Sequence, residues 1–133
     1  MLEFLEALLA FLAHLVLAIG LAGVFLLAYV RTTPHQELEL IRKGNAAVAL
    51  GLTGALIGFA LVLARAIVIS QGIGETLVWG LIGLVVQVAG HWVLSRCLPR
   101  LYAAIEEGDT AAGITKAGVA VALGLLNAAS MTP

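Results

Sequence analysis

The sequence predicts an all-α polytopic membrane protein with four transmembrane helices, arranged as two parallel two-helix repeats, each carrying a short interfacial helix on the cytoplasmic side. Three observations lead there. Of 133 residues, 62% are hydrophobic and only 11% charged, with a mean hydropathy of +1.09, which leaves too little polar surface to coat a water-soluble globule. The apolar residues gather into four runs, about Leu8 to Val30, Ala46 to Ser70, Thr76 to Cys97 and Ala111 to Ser130, each near the ~20 residues a helix needs to cross ~30 Å of hydrocarbon. The polar connections after the first and third runs share one local grammar. Lipid cannot hydrogen-bond an open backbone, so the runs read as helices, and the alternation of a membrane β-barrel is absent. With no soluble segment of any size, residues 1–133 form a single membrane domain.

The first run is read as a span and not as a cleaved leader, because Glu3 and Glu6 stand where a signal peptide needs basic residues. In the connection TTPHQELELIRKGN, Thr33 is expected to cap a short helix, Pro34 to occupy its first position, and Gln36 to complete a capping box. Leu38 and Ile41 would form its apolar side, with Glu37, Glu39, Arg42 and Lys43 polar. Gly44 supplies a residue able to take φ > 0 past the helix end, and Asn45 can cap the second span. The second span is unusual for lipid in being mostly Gly and Ala in its first half. Pro99 opens the later connection PRLYAAIEEGD, with Leu101, Tyr102 and Ile105 apolar, Gly108 closing the helix and Asp109 capping the fourth span.

A shift of 64 positions lays Ile41 on Ile105, Gly44 on Gly108, Asn45 on Asp109, Ala47 on Ala111, Gly54 on Gly118 and Leu61 on Leu125. Duplication, with repeats of about 1–70 and 71–133, accounts for this; a chance overlay of Ala- and Gly-rich helices is the competing explanation. Each repeat has an even number of spans, so the halves would point the same way. Ala47, Gly51, Gly54 and Gly58 fall at spacings of four, three and four, on one helical face. In lipid, close backbone approach across small residues is a main source of helix association, so this face is expected to meet another helix. Gly80 and Gly83 on the third span and Gly118 on the fourth are candidate surfaces for such contacts. The partner helix could belong to the same chain or to a second copy, and a homo-oligomer, with a dimer favoured, is expected.

Arg31, Arg42 and Lys43 follow the first span and Arg96 and Arg100 the third, whereas both terminal segments lack Lys and Arg. The positive-inside rule then places both termini outside and the two grammatical corners in the cytoplasm. Trp79, Tyr29 and Trp92 near span ends suit interfacial belts. The net charge of -1 with few, scattered basic residues points away from nucleic acid.

Five polar residues lie within the runs: His14, Gln87, His91, Lys116 and Asn127. A cation in mid-span costs ~2.5 to 3.5 kcal/mol on insertion scales, so Lys116 is expected to snorkel toward the cytoplasmic headgroups. Arg65 closes the second span near the outer interface. Gln87 and His91, four apart, share a face. They would either line a proton or ion path or, as the preferred reading, make interhelical hydrogen bonds. His14 and His91 fall on opposite halves of the bilayer, which argues against a shared metal, and His35 reads as a solvated first-turn residue. Cys97, the sole cysteine, cannot form an internal disulfide. No catalytic, metal or cofactor motif is present, and no carboxylate stands within a span, so enzyme activity and a bound cofactor are not expected.

Thr33-Pro34-His35 after the first span, Gly44-Asn45 with Ala47, Gly54 and Gly58, then Gln87, the corner Gly108-Asp109 with Ala111, Ala112 and Gly113, and the closing Asn127-Ala128-Ala129 with Met131 and Thr132 resemble the YjfL-like bacterial inner-membrane family, domain of unknown function 350. The resemblance covers nearly the whole chain. It implies a four-span protein of the bacterial cytoplasmic membrane, often in envelope-stress gene neighbourhoods, without an established activity, substrate or cofactor. His14 and His91 are outside the resembling pattern. The functional expectation is therefore a non-enzymatic assembly or docking component, with Glu37, Arg42 and Glu106 on a surface for a cytoplasmic or membrane protein partner. The alternative is a small-solute or ion conduit near Gln87 and Asn127.

Overall fold

The computed structural model describes residues 1–132. Six helices follow one another: α1 (Leu2–Thr32), α2 (Glu37–Arg42), α3 (Ala46–Ile69), α4 (Ile73–Cys97), α5 (Pro99–Glu106) and α6 (Thr110–Ser130). The four long ones are of a length and composition to cross a membrane, and with no strand among the described residues the protein is an all-helical membrane protein. α1 and α4 run toward one end of the bundle, where α2 and α5 turn the chain into α3 and α6. We refer to that end as the corner end. The most extensive contact in the molecule is between α3 and α6, followed by α1 against α4.

The two corners are built alike. At the first, the Gly44 N–H donates to the Ile41 carbonyl and the Asn45 N–H to the Leu40 carbonyl; at the second, Gly108 donates to Ile105 and Asp109 to Ala104. This pattern leaves the helix through a residue in the left-handed region, and Gly44 and Gly108 have φ of 87° and 93°. Asn45 and Asp109 then accept from the Val48 and Ala112 N–H groups, satisfying an orphan donor of α3 and α6. The Asn45 amide also donates to the Ile105 and Glu106 carbonyls, tying one corner to the other.

The entry to α2 departs from expectation. α1 continues through Thr32, and the Thr33 hydroxyl donates to the Tyr29 carbonyl at 2.7 Å, ending α1 instead of capping α2. Pro34 therefore lies in the linker, and α2 begins only at Glu37. The later start rotates the helix: Glu37 faces inward and Leu38 faces out, the reverse of the pattern that counting from Thr33 requires. At α5 the start is as read, with Pro99 in the first turn and Tyr102 and Ile105 buried.

Glycine decides the α3–α6 contact. A Cβ built on Gly54 would lie 2.5 Å from Ala117 Cα, one on Gly113 would lie 2.6 Å from the Ala47 carbonyl oxygen, and Gly58 abuts both the Ala120 carbonyl and the backbone of Gly124. Residues of increasing number meet in step, so the two helices run parallel. The face formed by Ala47, Gly51, Gly54 and Gly58 is thus consumed within the chain. Gly80 packs under Leu21, and Gly83 under Val62 and Met131. Gly118 corrects the expectation: nothing lies within 4 Å of its Cβ position, because α6 presents Gly113, Ala117, Ala120 and Gly124 to α3 and turns Gly118 away. Phe25 and Phe59 stack at 4.6 Å in the centre of the core.

At the opposite end, the Arg65 guanidinium donates to the Met131 carbonyl and holds the tail of α6 to α3. Tyr29 is buried and does not belong to an interfacial belt, while Trp92 and Cys97 are exposed. Residues 1–13 are all exposed.

Introducing a methyl at Gly58 must separate α3 from α6. Gly58→Ala should lower unfolding free energy in an SDS titration by ~1 to 3 kcal/mol, the usual cost of overpacking, whereas Gly118→Ala should leave it unchanged or slightly raised.

Candidate functional site

Lys116 is not a snorkelling residue. It is on the α6 face that meets α3, under the lid made by α2 and α5, and is 0% exposed. Gly51 admits it: a Cβ there would stand 3.1 Å from Lys116 Cδ and 3.3 Å from its Nζ. The ammonium lies 4.7 Å from the ring centroids of both Tyr29 and Tyr102 and donates to the Tyr29 hydroxyl. Tyr29 holds the cation through its hydroxyl, and a tyrosine ring such as Tyr102 stabilises a desolvated cation by ~0.5 to 2 kcal/mol. Its counter-ion is Glu37, also 0% exposed, with Oε1 at 3.7 Å from Nζ.

His35 reaches the same oxygen. Its Nε2 is 3.2 Å from Glu37 Oε1, and its side chain is buried, which corrects the expectation of a solvated residue. His91 of α4 completes the cluster, its ring edge-on to Tyr29 at 5.0 Å. The cluster thus draws Tyr29 from α1, His35 from the linker, Glu37 from α2, His91 from α4, Tyr102 from α5 and Lys116 from α6. Neither oxygen of Glu37 and none of the ring nitrogens of His35 and His91 has a hydrogen bond of good geometry.

Magnitudes limit what this cluster can do for stability. Unit charges 3.7 Å apart attract by ~4 kcal/mol at an effective dielectric near 20, while removing each ion from water costs several kcal/mol. The pair is roughly neutral overall, yet either charge alone would be strongly unfavourable. Its effect is to specify where α2 and α6 sit relative to each other.

Further from the corners, the Gln87 amide donates to the Ala120 carbonyl at 3.3 Å, and the Asn127 amide donates to the Gly83 carbonyl at 3.1 Å and to Gln87 Oε1 at 3.4 Å. The structure brings these two together as a polar bridge between α4 and α6, and Gln87 is fully buried. Such interhelical bonds contribute about 0.6 kcal/mol each. His14 stands apart on α1, its Nδ1 bonded to the Ala10 carbonyl, across an open gap from Gln71 and Gly72. Among the described residues no three His, Cys, Asp or Glu side chains converge as a metal site.

The family described as Domain of Unknown Function (DUF350) matches residues 3–131. The chain belongs to the DUF350 family. The UPF0719 inner membrane protein YjfL of Escherichia coli K12 is 35% identical over 128 residues, spanning 96% of this chain and 97% of the relative. The UPF0719 transmembrane protein YshE of Bacillus subtilis is 27% identical over 110 residues, 81% of this chain and 82% of the relative. No solved structure matches. DUF350 membership confirms the resemblance read from the corner motifs and the closing segment, and leaves the chemistry of the buried cluster to be argued from its geometry.

Of the cluster, only Lys116 and His91 were legible as intramembrane polar residues. Tyr29, His35, Glu37 and Tyr102 were missed because all lie at span ends or in the connections, where polar groups read as solvated. One signal was available: an acid at Glu37 and a lysine at Lys116, each one corner away from the other in the aligned halves.

Burial, reinforced by the negative charge of Glu37, pushes the Tyr102 phenol up from 10.0 to about 12. A neutral phenol thus favours the folded state below pH 10, an advantage lost between pH 10 and about 12 as the unfolded form ionises first. In a Tyr29→Phe background, which leaves Tyr102 as the only tyrosine, the absorbance titration should have its midpoint near 12, and Glu37→Gln should move it part of the way toward 10.

Proposed function

We propose that this protein is a non-enzymatic, self-associating component of the bacterial inner membrane, with a dimer as its working unit and a charged corner end that docks a cytoplasmic or membrane protein partner. The observation that carries the reading is the free half of α1. Residues 2–13 of that helix are all exposed, and Leu2, Phe4, Leu9 and Phe11 are each more than half exposed. At 1.5 Å per residue, the 31 residues of α1 extend ~46 Å against ~30 Å of hydrocarbon. The 21 residues of α6 extend only ~32 Å. Tilting absorbs part of the excess, and an exposed stretch that is apolar apart from Glu3 and Glu6 is what a second copy of the same helix would cover.

The small-residue face of α3 does not support association between copies, since α6 occupies it. The docking surface also differs from the one read in sequence: Glu37 is withdrawn into the bundle, leaving Glu39, Arg42, Lys43, Arg100, Glu106 and Glu107 exposed around α2 and α5. Because Arg31, Arg42, Lys43, Arg96 and Arg100 all gather at this end, we orient it to the cytoplasm, with both termini outside. The matching corners support reading the two halves as parallel copies, and an envelope-stress setting rests on the family resemblance alone. A conduit through Gln87 and Asn127 is disfavoured by their mutual bonding between α4 and α6.

Cysteine cross-linking in native membranes tests this, in a Cys97→Ala background so that a single introduced thiol reports. Leu9→Cys should form a disulfide-linked dimer on oxidation, while Val85→Cys, equally exposed to lipid on α4, should remain monomeric. Equal or absent cross-linking at both positions would reject self-association through α1.

A further inference from the structure

We propose that the buried cluster is a proton-binding site loaded from the corner end through His35, and that the bound proton transfers the Glu37 carboxylate from Lys116 to His35. The inference is independent of self-association.

The geometry is a competition for one atom. Glu37 Oε1 lies 3.2 Å from His35 Nε2 and 3.7 Å from Lys116 Nζ. When His35 is neutral, Lys116 is the only cation facing the carboxylate. When His35 takes up a proton, a second cation stands at the shorter distance, and the single negative charge can no longer compensate both at full strength. The other groups facing this carboxylate and ammonium can be named from every helix: Tyr29 from α1, His91 from α4, Tyr102 from α5, and from α3 only Gly51, which has no side chain to contribute. None of these carries a carboxylate, so the cluster has one anion, faced by Lys116 of α6 and by His35 of the linker.

His35 is also the member placed to exchange with solvent. It lines two surface clefts at the corner end, one of about 180 Å³ shared with Ser95, Tyr102 and Glu106, the other beside Gln36, Glu39 and Arg42. Lys116 and His91 line neither. Both His35 ring nitrogens are buried beneath these clefts, so a proton from water at the corner end reaches the cluster through His35 when the cover over it opens, with the carboxylates of Glu106 and Glu39 at the cleft walls to attract it. His35 Nε2 and Glu37 Oε1 stand 3.2 Å apart without good hydrogen-bond geometry, so the attraction that a protonated imidazole adds draws the carboxylate round into a charge-assisted hydrogen bond. The mechanical consequence follows from placement. His35 and Glu37 are both on the linker and α2, so once they pair with each other α2 no longer needs α6, and the Lys116 end of α6 loosens from it.

The sequence contains only Lys43 and Lys116 as lysines and His14, His35 and His91 as histidines, so selective ¹⁵N labelling of the full-length protein in micelles resolves each by substitution. Between pH 8 and pH 5, the Lys116 ammonium resonance should shift together with the His35 imidazole resonances. Amide exchange in residues 36–43 and 110–116, corrected for the intrinsic pH dependence, should quicken about fivefold or more across that range. His35→Gln should abolish both changes, and His14→Gln should preserve them. A Lys116 resonance that is unmoved while the His35 resonances shift, His35 resonances that do not shift in this range, or a pH response that persists in His35→Gln would each overturn the proposal. The wild-type spectra decide it even if His35→Gln does not fold.

Discussion

The close approach of α3 to α6 is the constraint from which the rest of the architecture follows. Lipid supplies no hydrophobic drive for two helices to associate, so the contact relies on dispersion between backbones brought near by missing side chains. Gly54 and Gly58 on one helix, with Gly113 and Gly124 on the other, allow it. Both helices start from a corner built on a left-handed glycine and an Asn or Asp cap. Because Asn45 also bonds to the end of α5, the two helices are set at the same level before any side chain in the spans is considered. α1 and α4 pack around this pair through larger residues, with Phe25, Phe59 and Val62 filling the space between.

That approach creates the condition for a buried charge. Gly51 stands at the point where α6 presents Lys116, and the missing side chain leaves a channel for the lysine stem. In a membrane protein, an ammonium in such a place must find a counter-ion within the chain, since neither lipid nor a neighbouring backbone can stabilise it. Glu37 answers that need from outside the spans, drawn in with His35 while two tyrosine rings close the remaining sides. The ion pair contributes little net stability, but it makes one arrangement of α2 against α6 far better than any alternative. A short six-residue helix, too short to hold itself together, is thereby fixed to the bundle.

Much of the fold was legible because membrane composition, span length, corner glycines and small-residue spacing each have a single strong physical cause. The face through Ala47, Gly51, Gly54 and Gly58 could be identified from periodicity, although only coordinates show that α6 and not a second chain covers it. Gly118 failed because spacing defines a face without saying which of several faces is used. Glu37 and His35 failed for a different reason: Thr33 and Pro34 offered a convincing helix start, but α1 kept its last turn and took the threonine hydroxyl for itself. A delay of three residues turned an apparent surface acid into the counter-ion of Lys116. Local capping rules cannot register such a reversal, since its cause is a lysine nearly eighty residues further along the chain.

Whether the Lys116–Glu37 pair holds the corner end together is measured most directly by a double-mutant cycle in detergent, using Lys116→Met and Glu37→Leu. Each single variant leaves one buried charge without its partner and should cost ~3 to 5 kcal/mol of unfolding free energy. The double variant removes both and should be far less destabilised than the sum, near the stability of the unmodified protein. Two small and additive losses would show that the charges do not depend on each other, and would contradict this account.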